Sequence, residues 1–404
     1  MSARYELGVA LRCVCIALLL LQCAASPEEQ RTQQKMERVQ QGMQQWIVEG
    51  RDVEPVAALL RQVEPLARAG KAGEIETVLD RALEVLATPA APSAPREAAA
   101  TSGPGVSPAR AVRLTAIPPG VELIFHQNGD LWAMDRNGGH VTQITFGTER
   151  AYEHAAVSYD HRFVVADVFE QGRARLWLYD LRDGVERRLL PDFFHAGDGG
   201  VDWDSTGFIY FVGKETSSQR FKDLYRVRAD GTGLERLTDT RGADECDPSV
   251  VQTTVVYCLL VPEPSRNSAH TEIWSIGTDG SNPRQLYRAG DVFKASAHDP
   301  ELSSDGRYAV FSRVDSDVPP NYPNDPAANT AHDVMLLEIA SGRLVRLTRP
   351  GPIAIIPDMK GDAVVFTEIS QRDGYQGASI VSASGSDQVP RRIRRGANSV
   401  KWIP

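Results

Sequence analysis

A short sequence unit returns six times along this chain, and no other feature limits the fold so strongly. Its cleanest copy occupies residues 299–348. It starts DPELSSDGRYAVFSR, crosses a loop rich in Pro and Asn, and ends DVMLLEIASGRLVRLT. Leu302, then Tyr308, Val310 and Phe311, then Val334, Leu336 and Ile339, and lastly Leu344 and Leu347 form short apolar runs. Turn-forming residues separate them, Ser304-Asp305-Gly306 after the first and Ala340-Ser341-Gly342 after the third. Apolar runs bounded by Gly, Asp, Asn and Pro are the pattern of strands joined by hairpins, so one copy predicts a four-stranded antiparallel meander. A lone meander has nothing to cover its apolar faces, and stacking against further copies supplies the cover.

The third strand of the unit recurs as LWAMDRNGG from Leu131, LWLYDLRDG from Leu176, LYRVRADG from Leu224, IWSIGTDG from Ile273 and VMLLEIASG from Val334, with a weaker copy, ASIVSASGSDQVPRRI, from Ala378. The spacing of roughly 45 to 60 residues suits a four-stranded propeller blade, and six blades close a ring. The first copy, VELIFHQNGDLWAMD from Val121, supplies second, third and fourth strands but no first, while NSVKWIP at residues 398–404 is one strand in excess. Placing that strand innermost beside the first copy leaves no open sheet edge. The predicted fold class is mainly β, a six-bladed β-propeller closed by its C-terminal strand, with a small N-terminal α-helical domain.

The pattern DPxxSxDGxxxxF, then a strand with Trp or Tyr, then DGxxxRLT resembles the WD-like repeat of TolB-type six-bladed propellers. It covers residues 121–404, and it is specific for the architecture rather than for an activity, because one fold hosts many functions. The resemblance implies an envelope-associated binding scaffold with a protein partner. The N-terminal helices do not match that family's own mixed N-terminal domain, so its particular partners are not carried over.

Four segments follow in order. Residues 1–25 read as an export signal: Arg4 and Arg12 precede an apolar run at residues 13–21 that is too short to span a bilayer, and Cys23-Ala24-Ala25 ends in small residues. The mature chain is therefore expected outside the cytoplasm, periplasmic or secreted. The alternative is a lipoprotein signal with Cys23 as the lipidated residue, which would be the chain's one route to a membrane; Gln22 departs from the small residue usual before such a cysteine. Residues 26–87 predict about three helices. Ser26-Pro27-Glu28-Glu29 is a helix start, and Met36, Val39, Met43, Trp46 and Ile47 share one helical face that reads as core. Residues 88–115, rich in Pro, Ala and Ser, predict a flexible linker, and residues 116–404 the propeller. A net charge of −9 argues against nucleic acid as the main partner. The basic run RRIRR at residues 391–395 reads as a solvated outer strand. The chain is expected to be a monomer.

Chemical motifs are few. No GxSxG elbow, Walker loop, HExxH or CxxC pair occurs. Propellers of this type precede the catalytic domain of some serine peptidases, but this sequence stops at Pro404, so no such domain is expected. Three of the five cysteines fall in the export segment, leaving Cys246 and Cys258. An even pair in an oxidising compartment could form a disulfide. The hairpin register expected from the sequence puts the two diagonal rather than opposite, which is awkward for a bridge, so two thiols remain the alternative.

Loops leading into inner strands, and loops between second and third strands, share one face of a propeller. His154, His195 and His298 fall on the first kind, and His126, His270 and His332 on the second. Only His140 and His161 fall on the opposite face. Aligned inner strands put Glu153-His154, Cys246-Asp247 and His298-Asp299 at equivalent points around the channel mouth. Two imidazoles and three carboxylates there could bind a cationic ligand or a divalent cation, with His154, His298 and Asp299 the candidate metal ligands. The alternative is that Asp247-Pro248 and Asp299-Pro300 belong to the repeat and cap turns, which leaves Glu153, His154 and His298 as the informative members. Trp132, Trp177, Tyr225 and Trp274 recur at one place in the unit and read as packing between blades, not as a sugar platform. Some propellers resembling this one are metal-dependent polysaccharide lyases or hydrolases with a site at the channel mouth. That is the rival to a non-enzymatic scaffold, and it requires the groups to converge within a few ångströms of one reacting atom.

Overall fold

A computed structural model describes residues 105–263, 268–289, 296–314, 332–348, 353–370 and 372–404, together with 54–60, 71–87 and isolated positions between 31 and 66. Residues 1–30, which include the expected export segment and Cys23, residues 88–104 of the expected linker, and the loop at residues 315–331 lie outside the described residues. Among the described residues no helix is long and apolar enough to cross a membrane.

The chain divides into a helical unit and a propeller. In the helical unit, α1 (Glu54–Leu60) and α2 (Ala72–Leu86) share a core with Met36 and Val39 of the predicted stripe; Met43, Trp46 and Ile47 lie outside the described residues. On α2 the core takes Ile75, Val78, Leu79 and Ala82, the three- and four-residue spacing of one helix face.

The propeller begins with the short β1 (Arg110–Ala111). Blade 1 takes β2 (Leu123–Gln127), β3 (Asp130–Met134) and β4 (Thr142–Gln143), and blade 2 takes β5 (Tyr152–Val157), β6 (Phe163–Glu170), β7 (Arg173–Asp180) and β8 (Val185–Leu189). Blade 3 is β9 (His195–Trp203), β10 (Phe208–Lys214), β11 (Asp223–Arg228) and β12 (Glu235–Arg236); blade 4 is β13 (Asp244–Val251), β14 (Thr254–Glu263), β15 (Ser268–Gly277) and β16 (Arg284–Arg288). Blade 5 is β17 (Ser296–Leu302), β18 (Tyr308–Val314), β19 (His332–Glu338) and β20 (Arg343–Arg346); blade 6 is β21 (Ile353–Lys360), β22 (Ala363–Ser370), β23 (Tyr375–Ser382) and β24 (Arg391–Arg395). The last strand, β25 (Asn398–Trp402), pairs with β2 and completes blade 1 from the far end of the chain. The turn between β2 and β3 is Asn128-Gly129, both with positive φ (52° and 81°), the geometry that lets a two-residue hairpin follow the strand twist.

Around the axis the inner strands run β25, β5, β9, β13, β17, β21, each against the next. Six apolar cores fill the spaces between neighbouring blades: Ile124 with Val164, Val165 with Phe211, Tyr210 with Tyr257, Ile273 with Phe311, Val310 with Phe366, and Phe125 with Val365 lie within them. Trp132, Trp177, Tyr225 and Trp274 each pack into one of these inter-blade cores. The RRIRR run is β24, an outer strand with half-exposed to exposed residues.

Two sequence expectations are corrected. The last part of the linker is ordered: Arg110 and Ala111 pair with Glu186 and Val185, and Val106 and Leu114 bridge to Leu189 and Thr145. Composition at 88–104 masked the apolar positions Val106, Leu114 and Ile117, which pack against the propeller's cores, and Arg110, which reaches the buried Glu186. The propeller therefore starts near Gly105. The cysteine register also differs. Cys246 lies directly opposite Cys258, with Cα atoms 4.9 Å apart, and the two are joined as a disulfide. A bulge between Cys246 and Ser249 inserts one residue into β13 and turns the expected diagonal into an opposed pair.

Candidate ligand-binding site at the channel mouth

Irregularity in the inner strands creates the site. On β13, β17, β21 and β25 the pairing slips by one residue, and at each slip a non-glycine residue takes a left-handed backbone: Asp247 (φ 49°), Asp299 (52°), Ile356 (55°) and Ser399 (47°). On β9 the same stretch holds Gly199 (φ 123°) and Gly200 (93°); a Cβ on Gly200 would stand 3.0 Å from the Cα of Asp247. On β5 the slip falls at Glu153, between Tyr152 and His154. Bulges re-aim side chains, and these turn theirs into the mouth of the channel. Asp247 and Asp299 are thus not turn caps, as the sequence alternative had them, but bulge residues inside the strand.

All five residues singled out in the sequence, Glu153, His154, Asp247, His298 and Asp299, line one cavity of about 520 Å³, with His126, His332, Tyr152, Lys222 and Ser399. Ligand atoms of His154, Asp247 and Asp299, from blades 2, 4 and 5, lie within 4.8 Å of one another. His298 lines the cavity without belonging to that group, so Asp247 takes the place that the sequence reading gave it. His195 and His270 are elsewhere: the backbone N–H of Ala174 donates to His195 Nδ1, and His270 meets Glu272 at 3.0 Å. His140 and His161 sit at the opposite face, beside Asp135 and the carbonyl of Pro404.

Hydrogen bonds fix the carboxylates. Asp299 accepts from Ser312 Oγ (3.2 Å) and from the backbone N–H of Ile356 (3.0 Å), and its own N–H donates to Asp247 Oδ2 (3.3 Å). His154 is held twice by Asp167, a residue of β6 whose side chain is 1% exposed. Its backbone N–H donates to Oδ1 at 2.5 Å and its ring Nδ1 lies 3.3 Å from Oδ2. Two residues further along the same inner strands, Lys401 on β25 meets Glu301 on β17 at 2.5 Å, so a buried ion pair spans the channel beyond the mouth.

Electrostatics follow this geometry. Burial works against a charged His154, but Asp167 outweighs it, aided by Asp247 and Asp299, and the imidazole is pushed up to about 10. Asp247 is pushed up to about 7 by burial and by Asp299, against the pull of His154 and Lys222. Burial and the nearby His154 charge take His126 down to about 4, and burial also lowers His298. The mouth thus combines a cationic His154, neutral imidazoles and converging carboxylates.

Sequence reasoning missed Asp167, Lys222, Tyr152 and Ser399. Asp167 had a usable signal, a single carboxylate inside the apolar run FVVADVF. A charge in such a strand is kept only where something pairs with it.

No family model matches the sequence, and no curated protein matches it. Solved structures do. TolB from Acinetobacter baumannii aligns with a TM-score of 0.50 at 15% identity, covering 70% of this chain and 66% of that one, so the match spans just under two thirds of the TolB chain. The Nidogen/Laminin complex aligns with a TM-score of 0.50 at 13% identity, covering 70% of this chain and 99% of the other. A putative TolB from Agrobacterium tumefaciens gives 0.48 at 13%, covering 70% and 98%. Identities this low speak to fold: the chain carries a TolB-like six-bladed propeller.

Proposed function

We propose that the protein is an exported binding scaffold of the cell envelope that grips a ligand or protein partner at the channel-mouth cavity. One observation carries this reading: imidazole and carboxylate groups from separate blades are brought to one cavity on the face where the sequence concentrates its histidines. The fold agrees with a scaffold role, and the Nidogen/Laminin structure is a case of a similar fold found in a protein–protein complex. Polar groups held by backbone hydrogen bonds on rigid strands are pre-organised, which lowers the ordering cost of binding.

A second reading, metal-dependent lyase or hydrolase, is favoured by the convergence of His154, Asp247 and Asp299 within 4.8 Å. That spacing is what a reacting centre requires, and a loose rim would not show it.

Chemical cross-linking in envelope fractions tests the scaffold reading. Wild type is compared with His332→Trp, which fills the cavity, and with Val389→Trp at an exposed position on the opposite face. A discrete cross-linked species is expected with wild type and Val389→Trp and absent with His332→Trp. The same species in all three would sink the assignment of the cavity.

A further inference from the structure

We propose that His154, Asp247 and Asp299 form a binding site for one divalent first-row transition-metal ion, of the Mn2+ to Zn2+ range, with coordination positions left open toward the cavity. The inference rests on the reading of the mouth as the binding site and names what sits at its centre.

Four features support it. The donor set is one imidazole and two carboxylates from three different blades, with ligand atoms already within 4.8 Å. A mixed nitrogen and oxygen set suits transition ions, whereas Ca2+ and Mg2+ sites are built from oxygen alone. Second, Asp167 stands behind His154 in the arrangement typical of metal-bound histidines: a carboxylate engages Nδ1 and leaves Nε2, whose proton passes to solvent as the ion binds, for the metal. Asp167 is enclosed, and its other oxygen accepts the backbone N–H of His154, so the ring's base is fixed as well as its tilt. Third, both aspartates are immobilised on left-handed bulges, and Asp299 is held further by Ser312 and Ile356. Two carboxylates held near one another in a partly buried site repel, and a shared cation relieves that repulsion.

The fourth feature narrows the choice. The nearest sulfurs, Cys246 and Cys258, are joined to each other, and Cys258 Sγ lies 3.1 Å from Asp247. A disulfide offers no thiolate, so a soft ion such as Cu+ has no matching ligand there. Three protein ligands beside a cavity of about 520 Å³ resemble an open site more than a closed structural one. His126 and His298 line the same cavity and face whatever completes the coordination sphere.

The test uses the mature full chain, stripped with chelator and dialysed. ZnCl2 and MnCl2 are titrated separately by calorimetry, and bound metal per chain is measured after desalting. The expected result is one equivalent of one of these ions. Asp247→Asn and His154→Gln should each lower the affinity at least tenfold. Asparagine keeps an oxygen that can accept the N–H of Asp299, which limits damage to the ring. Asp167→Asn should weaken binding about 10- to 100-fold, as loss of an orienting carboxylate does. Melting in the presence of chelator separates a lost ligand from a lost fold, and His270→Gln, outside the cavity, should bind as wild type.

No uptake of either ion, or uptake indifferent to both Asp247→Asn and His154→Gln, would overturn the proposal and leave His154 as the cationic counter-ion of the two aspartates. The two readings fail separately. A metal-free protein whose cross-link still disappears in His332→Trp retains the scaffold function, while stoichiometric metal with no cavity-dependent cross-link points to the enzyme.

Discussion

Arg150→Met should destabilise the propeller more than any exposed arginine substitution, and in a pH-dependent way. The Arg150 guanidinium is about nine-tenths covered. It donates to both oxygens of Glu186 (2.6 and 3.0 Å) and to Tyr179 Oη (2.6 Å), and lies 3.6 Å over the ring of Trp177. The Glu186 side chain is fully enclosed, and its second partner, Arg110, is 69% exposed. Removing one member of a buried pair costs about 3–5 kcal/mol because the other charge is stranded. Arg110 retains part of the contact, which puts the expectation at the lower end, about 3 kcal/mol, or roughly 6 °C at about 2 °C per kcal/mol for a domain this large.

In the wild type, burial raises the Glu186 carboxyl but hydrogen bonds and charge from Arg150 outweigh it, so its pKa is lowered. A lowered carboxylate stabilises the fold above its ordinary range and loses that contribution as pH falls. Without Arg150 burial dominates, the folded pKa rises above the unfolded one, and the sign reverses: the variant is penalised as pH climbs. Its deficit should be largest near neutrality and shrink toward about pH 4.5, around the ordinary Glu value. Urea unfolding followed by tryptophan fluorescence at both pH values measures this, with Glu186→Gln and the double variant closing a cycle. A deficit below about 1 kcal/mol, the range of an exposed pair, or one that does not change with pH, would refute the argument.

Two further outcomes follow from the ring. Deleting residues 398–404 removes β25 and the Lys401–Glu301 pair, so the shortened chain should unfold at lower denaturant and with a shallower transition; an unchanged sharp transition would show that β25 does not close the ring. Cys258→Ser should lower stability by about 2–3 kcal/mol under non-reducing conditions, and wild type in reductant should approach the variant. Equal stability of all three would mean that the bridge adds nothing to a hairpin already held by its ladder.

The fold was legible because its signal is repeated: one ambiguous strand means little, but the same Trp or Tyr position and the same DG turn recur around the ring. The seam was legible for the same reason, since a missing first strand at Val121 and a surplus strand at 398–404 match each other. The mouth was legible in outline because His154 and His298 are residues that the repeat does not demand. What the sequence hid is local. Bulges leave no compositional trace, so the opposed cysteines and the inward aim of Asp247 and Asp299 could not be read from alternation. Asp167 lies in another strand than the residue it holds, and only pairing brings the two together. At residues 105–115, Pro- and Ala-rich neighbours concealed a strand that depends on Glu186, some seventy positions later in the chain.

Side-chain acceptors of blades 2 to 6 take inner-strand N–H groups from the next blade. Asp167 takes an N–H from blade 3, Asp202 from blade 4, Asp247 from blade 5, Asp299 from blade 6, and Thr367 and Asp358 from the strand that closes blade 1. Blades 2 to 6 thus each offer an acceptor to the next blade in one rotational sense, and the joint from blade 6 to blade 1 is made in the same manner as those between blades 2 to 6. The seam belongs to the gene's numbering and not to the mechanics of the ring. A joint made this way does not depend on the chain being continuous across it, so where the termini fall is a matter of connectivity rather than of how the hub is built.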